Sequence, residues 1–177
     1  MTGPGAEIHG EHPYAEPVEH RAPVRRLRGR LTAPVTLWTA GTGRDRAGLT
    51  VASVLVVDGD PGAVVGMIDP DSDLADAIDE YGTFAVTPLG WDDRLLADRF
   101  GGLAPAPGGL FAQDPWTDTD WGPVPAGAGT WLGCRASGTA QVGWSRRVDA
   151  VVEHLTLGDD IPALAYRRGR YHRIDPS

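Results

Sequence analysis

Apolar residues come in short runs, separated by turn residues, along most of the chain after residue 34. The runs at 35–40, 49–57 and 63–68 are rich in Val and Leu and predict β-strands. With 24 Gly and 15 Pro in 177 residues, the connections between them are turns. Many short strands without a β-α-β series predict a mainly β fold, an antiparallel barrel. Further strands are predicted at 83–87, 131–136, 140–142, 148–157 and 163–167.

Two segments show helical periodicity instead. In residues 71–82 the apolar side chains recur three or four positions apart, which places them on one face of a short helix. Ser72 suits the start of this helix and Gly82 suits its end. Residues 92–100 predict a second helix, with Leu96 and Phe100 on its apolar face. The barrel is therefore expected to carry two or three short helices.

The N-terminal region lacks a regular pattern. Residues 1–24 hold few large apolar groups, so we expect a flexible tail followed by one domain over 25–177. His9, His12 and His20 stand beside glutamates in this tail. A solvated tail is favoured over a metal site, because no rigid element holds the three imidazoles in place.

Two further segments are irregular or strongly charged. Residues 25–30 form a basic patch, interpreted as a solvated helical turn or strand entry rather than as a docking patch. Residues 101–130 form a long Gly- and Pro-rich connection, of a length that is usually functional or mobile. Its Trp116 and Trp121 are expected to pack beneath the loop, with stacking on a ligand as the alternative.

Charge and residue usage exclude several kinds of function. The net charge is −8, and a field of that sign argues against a nucleic-acid partner. All 16 basic residues are Arg, which excludes Schiff-base chemistry on lysine and a Walker-type phosphate lysine. The single cysteine, Cys134, is expected to fill the core rather than to act as a nucleophile. Because no apolar run approaches about 20 residues, we expect no membrane span, no membrane partner and a cytoplasmic location.

Signatures of acid–base, nucleophilic and metal-assisted enzymes are missing, so no catalytic residue and no metal ligand is predicted. One segment has chemistry of its own: Gly48 precedes Thr50 and Ser53 where the chain enters a strand. Backbone amides and the two hydroxyls would hold a phosphate without lysine. In a flat strand the hydroxyls point to opposite faces, so both reach one anion only with a bulge or bend. On spacing alone, a plain barrel strand is an equally good interpretation.

Several segments, taken in order, resemble the flavin reductase-like family of FMN-binding split barrels. The resemblance runs from about residue 35 to residue 171. It implies an antiparallel split β-barrel, FMN as the cofactor with FAD as the alternative, and NAD(P)H as the cosubstrate. The segments that carry it are Gly48-Leu49-Thr50-Val51-Ala52-Ser53, residues 60–65, Ser72-Asp73-Leu74 through Ile78, Gly82-Thr83-Phe84-Ala85-Val86-Thr87-Pro88-Leu89, residues 96–100, Trp131-Leu132-Gly133-Cys134 and residues 162–171.

The resemblance also implies which residues hold the flavin. Thr50, Ser53 and Ser72 would contact the FMN phosphate, and the backbone of the same strand, with Thr39, would line the ring system and ribityl chain. Since the chain has no Lys, the phosphate must be held by amides, hydroxyls or Arg, and Arg46 is the basic residue nearest to Thr50. The predicted cofactor-binding residues are Thr39, Arg46, Gly48, Leu49, Thr50, Val51, Ala52, Ser53, Ser72 and Thr87.

The activity implied is reduction of flavin by NAD(P)H, with hydride passing from nicotinamide C4 to flavin N5. Such hydride transfer needs no acid–base residue, in agreement with the missing signatures. The resemblance further implies a homodimer that supplies reduced flavin to a partner monooxygenase. His172 is expected to be a surface residue rather than a nicotinamide contact.

The sequence departs from the family pattern at several positions. Asp73 and Leu74 replace a basic residue and a Thr, and Thr87 replaces the usual Asn. The family's Asp-His pair falls at Gly143-Trp144, or in a shifted alignment with more gaps at Glu153-His154. Two alternative functions follow: a flavin-binding barrel without reductase activity, and a cofactor-free dimeric scaffold.

Overall fold

The computed structural model describes residues 23–177, so most of the predicted tail, with His9, His12 and His20, lies outside the described residues. Pro23 and Val24, assigned to the tail by the sequence, form the start of a helix. The helices are α1 (Pro23–Arg28), α2 (Asp73–Tyr81) and α3 (Arg94–Phe100). The strands are β1 (Ala33–Pro34), β2 (Thr36–Ala40), β3 (Ala47–Val51), β4 (Val54–Val57), β5 (Ala63–Ile68), β6 (Thr83–Pro88), β7 (Trp116–Thr117), β8 (Val124–Pro125), β9 (Trp131–Val142), β10 (Ser145–Thr156), β11 (Ala163–Arg167) and β12 (Arg170–Ile174).

The main sheet has seven antiparallel strands in the order β3-β2-β6-β9-β10-β5-β4. Its two edge strands, β3 and β4, are consecutive in the chain and are joined only by Ala52 and Ser53. The sheet must therefore curl until its edges meet, and Met67 N donates to Ser53 O across the meeting point at 2.9 Å. The single strand predicted over 49–57 is wrong, because the chain bends between Val51 and Val54 to pass from one edge to the other.

The interior of the curled sheet is filled by aromatic and aliphatic side chains. Trp38 and Phe84 are fully buried and stack with ring centroids 4.7 Å apart. Gly66 lies beneath Trp38, where an added Cβ would come within 2.4 Å of the indole ring. Helix α2 packs Leu74 and Ile78 into the same core. A second core, around Leu37 and Phe100, fills the space between the sheet and α3.

The helix predictions are confirmed. The Ser72 side chain accepts from Ala75 N at the start of α2, and Gly82 ends the helix with a φ of 68°. Residues 25–28 of the basic patch belong to α1, whose six residues are all exposed. One further strand prediction needs correction, because β9 runs unbroken through 131–142. Strands β1, β7, β8 and β12 had no predicted counterpart. No helix within the described residues has both the length and the apolar character needed to cross a membrane.

Residues 101–130, called the anchored segment from here on, are fastened to the barrel rather than free. Trp116 packs edge-on against Phe100 at 5.6 Å. Trp121 lies against Gly133 of β9, where a Cβ would come within 2.3 Å of its ring. Both tryptophans therefore take the packing role that was expected of them.

Candidate functional site

A groove of about 670 Å³ opens where the two edges of the curled sheet meet. Residues 49–53, from β3 and the bend, form its floor, and residues 67–69 at the end of β5 form one side. The tip of the β9–β10 hairpin, with Trp144, extends that side. The opposite side comes from α1 and from the β11–β12 turn at 166–169. The groove is thus the split of the barrel, and the bend at Ala52-Ser53 creates it.

The floor offers polar groups suited to an anion. Because β3 is an edge strand, every second residue directs its N–H and C=O away from β2. The Ser53 side chain is exposed beside the groove. The Thr50 hydroxyl already donates to Ala97 O of α3 at 2.7 Å, so its oxygen is left as an acceptor. The backbone of β3 and Ser53 are therefore the donors that the floor offers.

Four arginines give the groove a positive lining, although the chain as a whole is acidic. Arg25 and Arg28 come from α1, and Arg167 and Arg168 come from the β11–β12 turn. The only acidic residue in the lining is Asp69, whose carboxylate accepts from Asp71 N at 3.0 Å. Within residues 23–177, none of the four arginines pairs with a carboxylate. Sequence reasoning missed these residues as ligand groups, although the spacing of Arg25 and Arg28 places them on one helical face.

Three of the predicted flavin residues hold other parts of the protein together. The Thr39 hydroxyl is buried and donates to Pro123 O at 2.5 Å. Arg46 pairs with Asp118 at 2.6 Å. This ion pair and the hydrogen bond from Thr39 both fasten the anchored segment. The Phe100 ring packs against Gly48, where an added Cβ would come within 2.7 Å of the ring. None of the three lines the groove, so their flavin contacts stay a prediction from the resemblance.

The remaining predicted positions divide in the same way. The Ser72 hydroxyl donates to Asp69 O at 2.7 Å, so it lies next to the groove at the start of α2. Thr87 is buried opposite Leu37 in the sheet. His172 is exposed on β12 and does not line the groove, as expected of a surface residue. The floor residues Leu49, Thr50, Val51, Ala52 and Ser53 are the predicted set that the structure brings together.

The two alignments of the family's Asp-His pair lead to different places. Trp144 is 97% exposed and borders the groove. His154 instead stacks between Trp131 at 4.4 Å and Trp121 at 5.1 Å, away from the groove lining. The alignment that needs fewer gaps therefore puts an aromatic side chain at the groove, where the family has an imidazole.

Two titratable groups near the core are kept protonated by their surroundings. Burial raises the pKa of the Cys134 thiol to about 12, and the nearby Glu153 charge adds to this. Burial and a 2.8 Å hydrogen bond to Asp98 raise the pKa of Tyr171 above its usual value. Cys134 therefore fills the core, as predicted. No group of three metal-binding side chains occurs among residues 23–177.

Comparison with known proteins identifies the family. The family model described as flavin reductase like domain matches residues 28–175. The chain belongs to the flavin reductase-like family. Its relative from Ancylobacter novellus, FMN reductase (NADH) RutF, is 30% identical over 159 residues, which cover 89% of this chain and 87% of the relative. The name of that flavin reductase pairs FMN with NADH, the cofactor and cosubstrate class that the sequence predicts.

Solved structures of flavin reductases share the split-barrel fold. The Streptomyces globisporus NADH:FAD oxidoreductase SgcE6 superposes with a TM-score of 0.78 at 26% identity, covering 92% of this chain and 99% of its own. A homologue of nitrilotriacetate monooxygenase component B from Mycobacterium thermoresistibile gives a TM-score of 0.77 at 26% identity, with 86% of both chains covered. The predicted family and fold class are thereby confirmed.

The groove has the properties that FMN requires. Its volume lies in the range of about 300–1,000 Å³ that is usual for small-molecule sites. Apolar groups for a flat ring system come from Leu49, Met67 and Trp144, and the edge amides of β3 with the Ser53 hydroxyl are present for a phosphate. The residues present therefore fit this cofactor.

Proposed function

We propose that the protein reduces FMN with NADH. The observation that carries the proposal is the groove at the split of the barrel, which combines the predicted phosphate segment with apolar groups for a flat ring system. The 30% identity to an FMN reductase (NADH) supports the same choice of cofactor and cosubstrate. We keep FAD as the alternative flavin, because a relative at 26% identity is named an NADH:FAD oxidoreductase.

In this proposal the chain positions the reactants and supplies no acid–base residue. When bound, FMN supplies the ring system that accepts a hydride from the nicotinamide and a proton from solvent. The β3 amides and Ser53 would hold its phosphate, and Ser72 at the end of the groove keeps Asp69 in place. The Trp144 indole, which borders the groove, would offer an aromatic face to the ring system.

We further propose a homodimer in which β4 lies at the interface. Leu55, Val56 and Val57 follow one another on this edge strand and are 66%, 65% and 47% exposed. An exposed apolar edge strand is a strong template for association with a second chain. A monooxygenase that receives the reduced flavin, and a cytoplasmic location where NADH is available, complete the proposal.

Titration of the purified chain with FMN, followed by flavin fluorescence and by NADH oxidation, tests the proposal. We expect FMN to bind and NADH to be oxidised only when flavin is present. If FMN binds and neither NADH nor NADPH is oxidised, the chain is a flavin-binding barrel without reductase activity. If flavin is rejected altogether, the scaffold interpretation replaces both.

A further inference from the structure

The arginine side of the groove holds more positive charge than one FMN phosphate requires. A phosphate monoester carries a charge of about −1.5 to −2 near neutral pH. The floor already provides neutral donors for it, namely the β3 amides and Ser53. Four arginines nevertheless line the same groove, with Asp69 as the single acid among the lining residues. This surplus matches a second, separate phosphate group.

The two elements that carry these arginines are fixed to each other beside the groove. Arg25 and Arg28 are three residues apart and so share one face of α1. The helix is fixed to the β11–β12 turn, because Arg168 N donates to Gly29 O at 2.8 Å and Arg167 Nε donates to Arg30 O at 2.9 Å. Arg167 is therefore partly occupied, whereas Arg25, Arg28 and Arg168 have no carboxylate partner within residues 23–177.

Arg168 occupies a backbone position that does not favour arginine. Arg168 and Gly169 form the two-residue connection between β11 and β12, with φ values of 51° and 77°. A connection with two positive φ angles favours Asn-Gly over other pairs. Arg168 is the only residue other than glycine with positive φ among those described. Strain of this kind is often found where a side chain serves a ligand.

We propose that Arg25, Arg28 and Arg168 bind the diphosphate of an adenosine diphosphate group. NADH and FAD both carry this group, and FMN lacks it. Guanidinium groups suit the task because they donate paired hydrogen bonds to phosphate oxygens and stay charged at all relevant pH values. The inference rests on the proposed function, since it assigns the floor to FMN and the arginine side to the dinucleotide.

Calorimetric titration of the full chain with ADP tests the subsite directly. The variants are the double substitution R25Q/R28Q, the single substitution R168N, and R26Q as the control. Arg26 lies on the same helix but does not line the groove. Asn suits the positive φ at position 168, so R168N removes the charge without disturbing the turn.

We expect the ADP dissociation constant to rise about tenfold or more in R25Q/R28Q and about fivefold in R168N, because charge-assisted hydrogen bonds are lost. R26Q should stay within about twofold of wild type, and the FMN dissociation constant within about threefold in every variant. Thermal unfolding checks that each variant is folded, and R168N should melt at the wild-type temperature or above it.

Two further titrations identify the source of the ADP group. If NADH supplies it, R25Q/R28Q raises the KM for NADH about tenfold while FAD and FMN keep equal affinities. If FAD supplies it, wild type binds FAD more tightly than FMN, and R25Q/R28Q removes that difference.

Three results would overturn the inference while leaving the proposed function intact. They are failure of ADP to bind the wild type, an equal loss of ADP affinity in R26Q, and a loss of FMN affinity as large as the loss of ADP affinity. The last result would assign the arginines to the FMN phosphate. Conversely, arginine-dependent binding of ADP to a chain that rejects FMN would defeat the proposed function and keep the subsite.

Discussion

The groove and the contacts of the anchored segment use polar side chains in opposite ways. The anchored segment is held by ion pairs: Arg46 with Asp118, and the buried Arg99 with Asp114 at 2.5 Å. The groove collects arginines without a carboxylate partner among residues 23–177. Paired polar groups stabilise the fold, whereas unpaired ones are available to a ligand. Substitutions in the two regions should accordingly change different quantities.

The largest effect on stability is expected at Gly133, against which Trp121 packs. G133V adds a side chain whose Cβ would lie 2.3 Å from the Trp121 indole ring. Overpacking of this kind costs about 1–3 kcal/mol of unfolding free energy. G138V on the same strand is the control, because its Cβ would have 3.7 Å to its nearest neighbour. Denaturant unfolding measures both. An equally small effect for the two variants would show that Trp121 is not seated there.

An effect of similar size is expected at Thr39. T39V keeps the shape of the side chain but leaves Pro123 O without its donor, which costs about 1–3 kcal/mol. T139V, at an exposed position of β9, is the matched control. We expect the unfolding free energy to fall and FMN affinity to stay unchanged. The reverse pattern would place Thr39 in the flavin site, as the family resemblance implies.

A smaller effect is expected at the exposed pair of Arg46 and Asp118. The two side chains are 21% and 61% exposed, and pairs of this kind contribute about 0–1 kcal/mol. R46Q and D118N should therefore lower stability by equal, small amounts and leave FMN affinity alone. A loss of FMN affinity in R46Q, absent in D118N, would instead support a phosphate contact for Arg46.

The smallest effect is expected when the native protein is treated with thiol reagents, which should modify Cys134 only slowly. Burial raises the pKa of its thiol to about 12 from an ordinary value of 9.0, so the native protein stays protonated while the unfolded chain ionises. The unfolded state then binds fewer protons above pH 9, and stability falls as the pH rises past that value. Alkylation of the Cys134 thiol at about pH 8.5 should be slow in the native protein and fast in denaturant. Fast native labelling would contradict the buried position.

The sequence predicted the barrel because alternating runs and turns repeat along it, and it predicted α2 because Ser72 and Gly82 mark both ends. The bend at Ala52-Ser53 was raised only as a condition for Thr50 and Ser53 to reach one anion, and a single strand was predicted over 49–57 because neither Gly nor Pro marks the bend. The candidate site was therefore predicted in part. The floor residues meet at the groove, but no neighbouring residue in the sequence indicated that the Thr39 hydroxyl would donate to Pro123 O. The arginine side was missed because α1 and the β11–β12 turn are far apart in sequence and meet only in the folded chain.

The central claim is that FMN binds in the groove at the split of the barrel, and FMN titration of S53D tests it most directly. A carboxylate at Ser53, on the floor, repels the phosphate, while S137D places the same charge on an exposed position of β9. We predict that S53D raises the FMN dissociation constant at least about tenfold, because the carboxylate and the phosphate would be like charges a few ångströms apart. The unfolding free energy should stay unchanged. S137D should match wild type. Equal FMN affinity in all three proteins would contradict the claim.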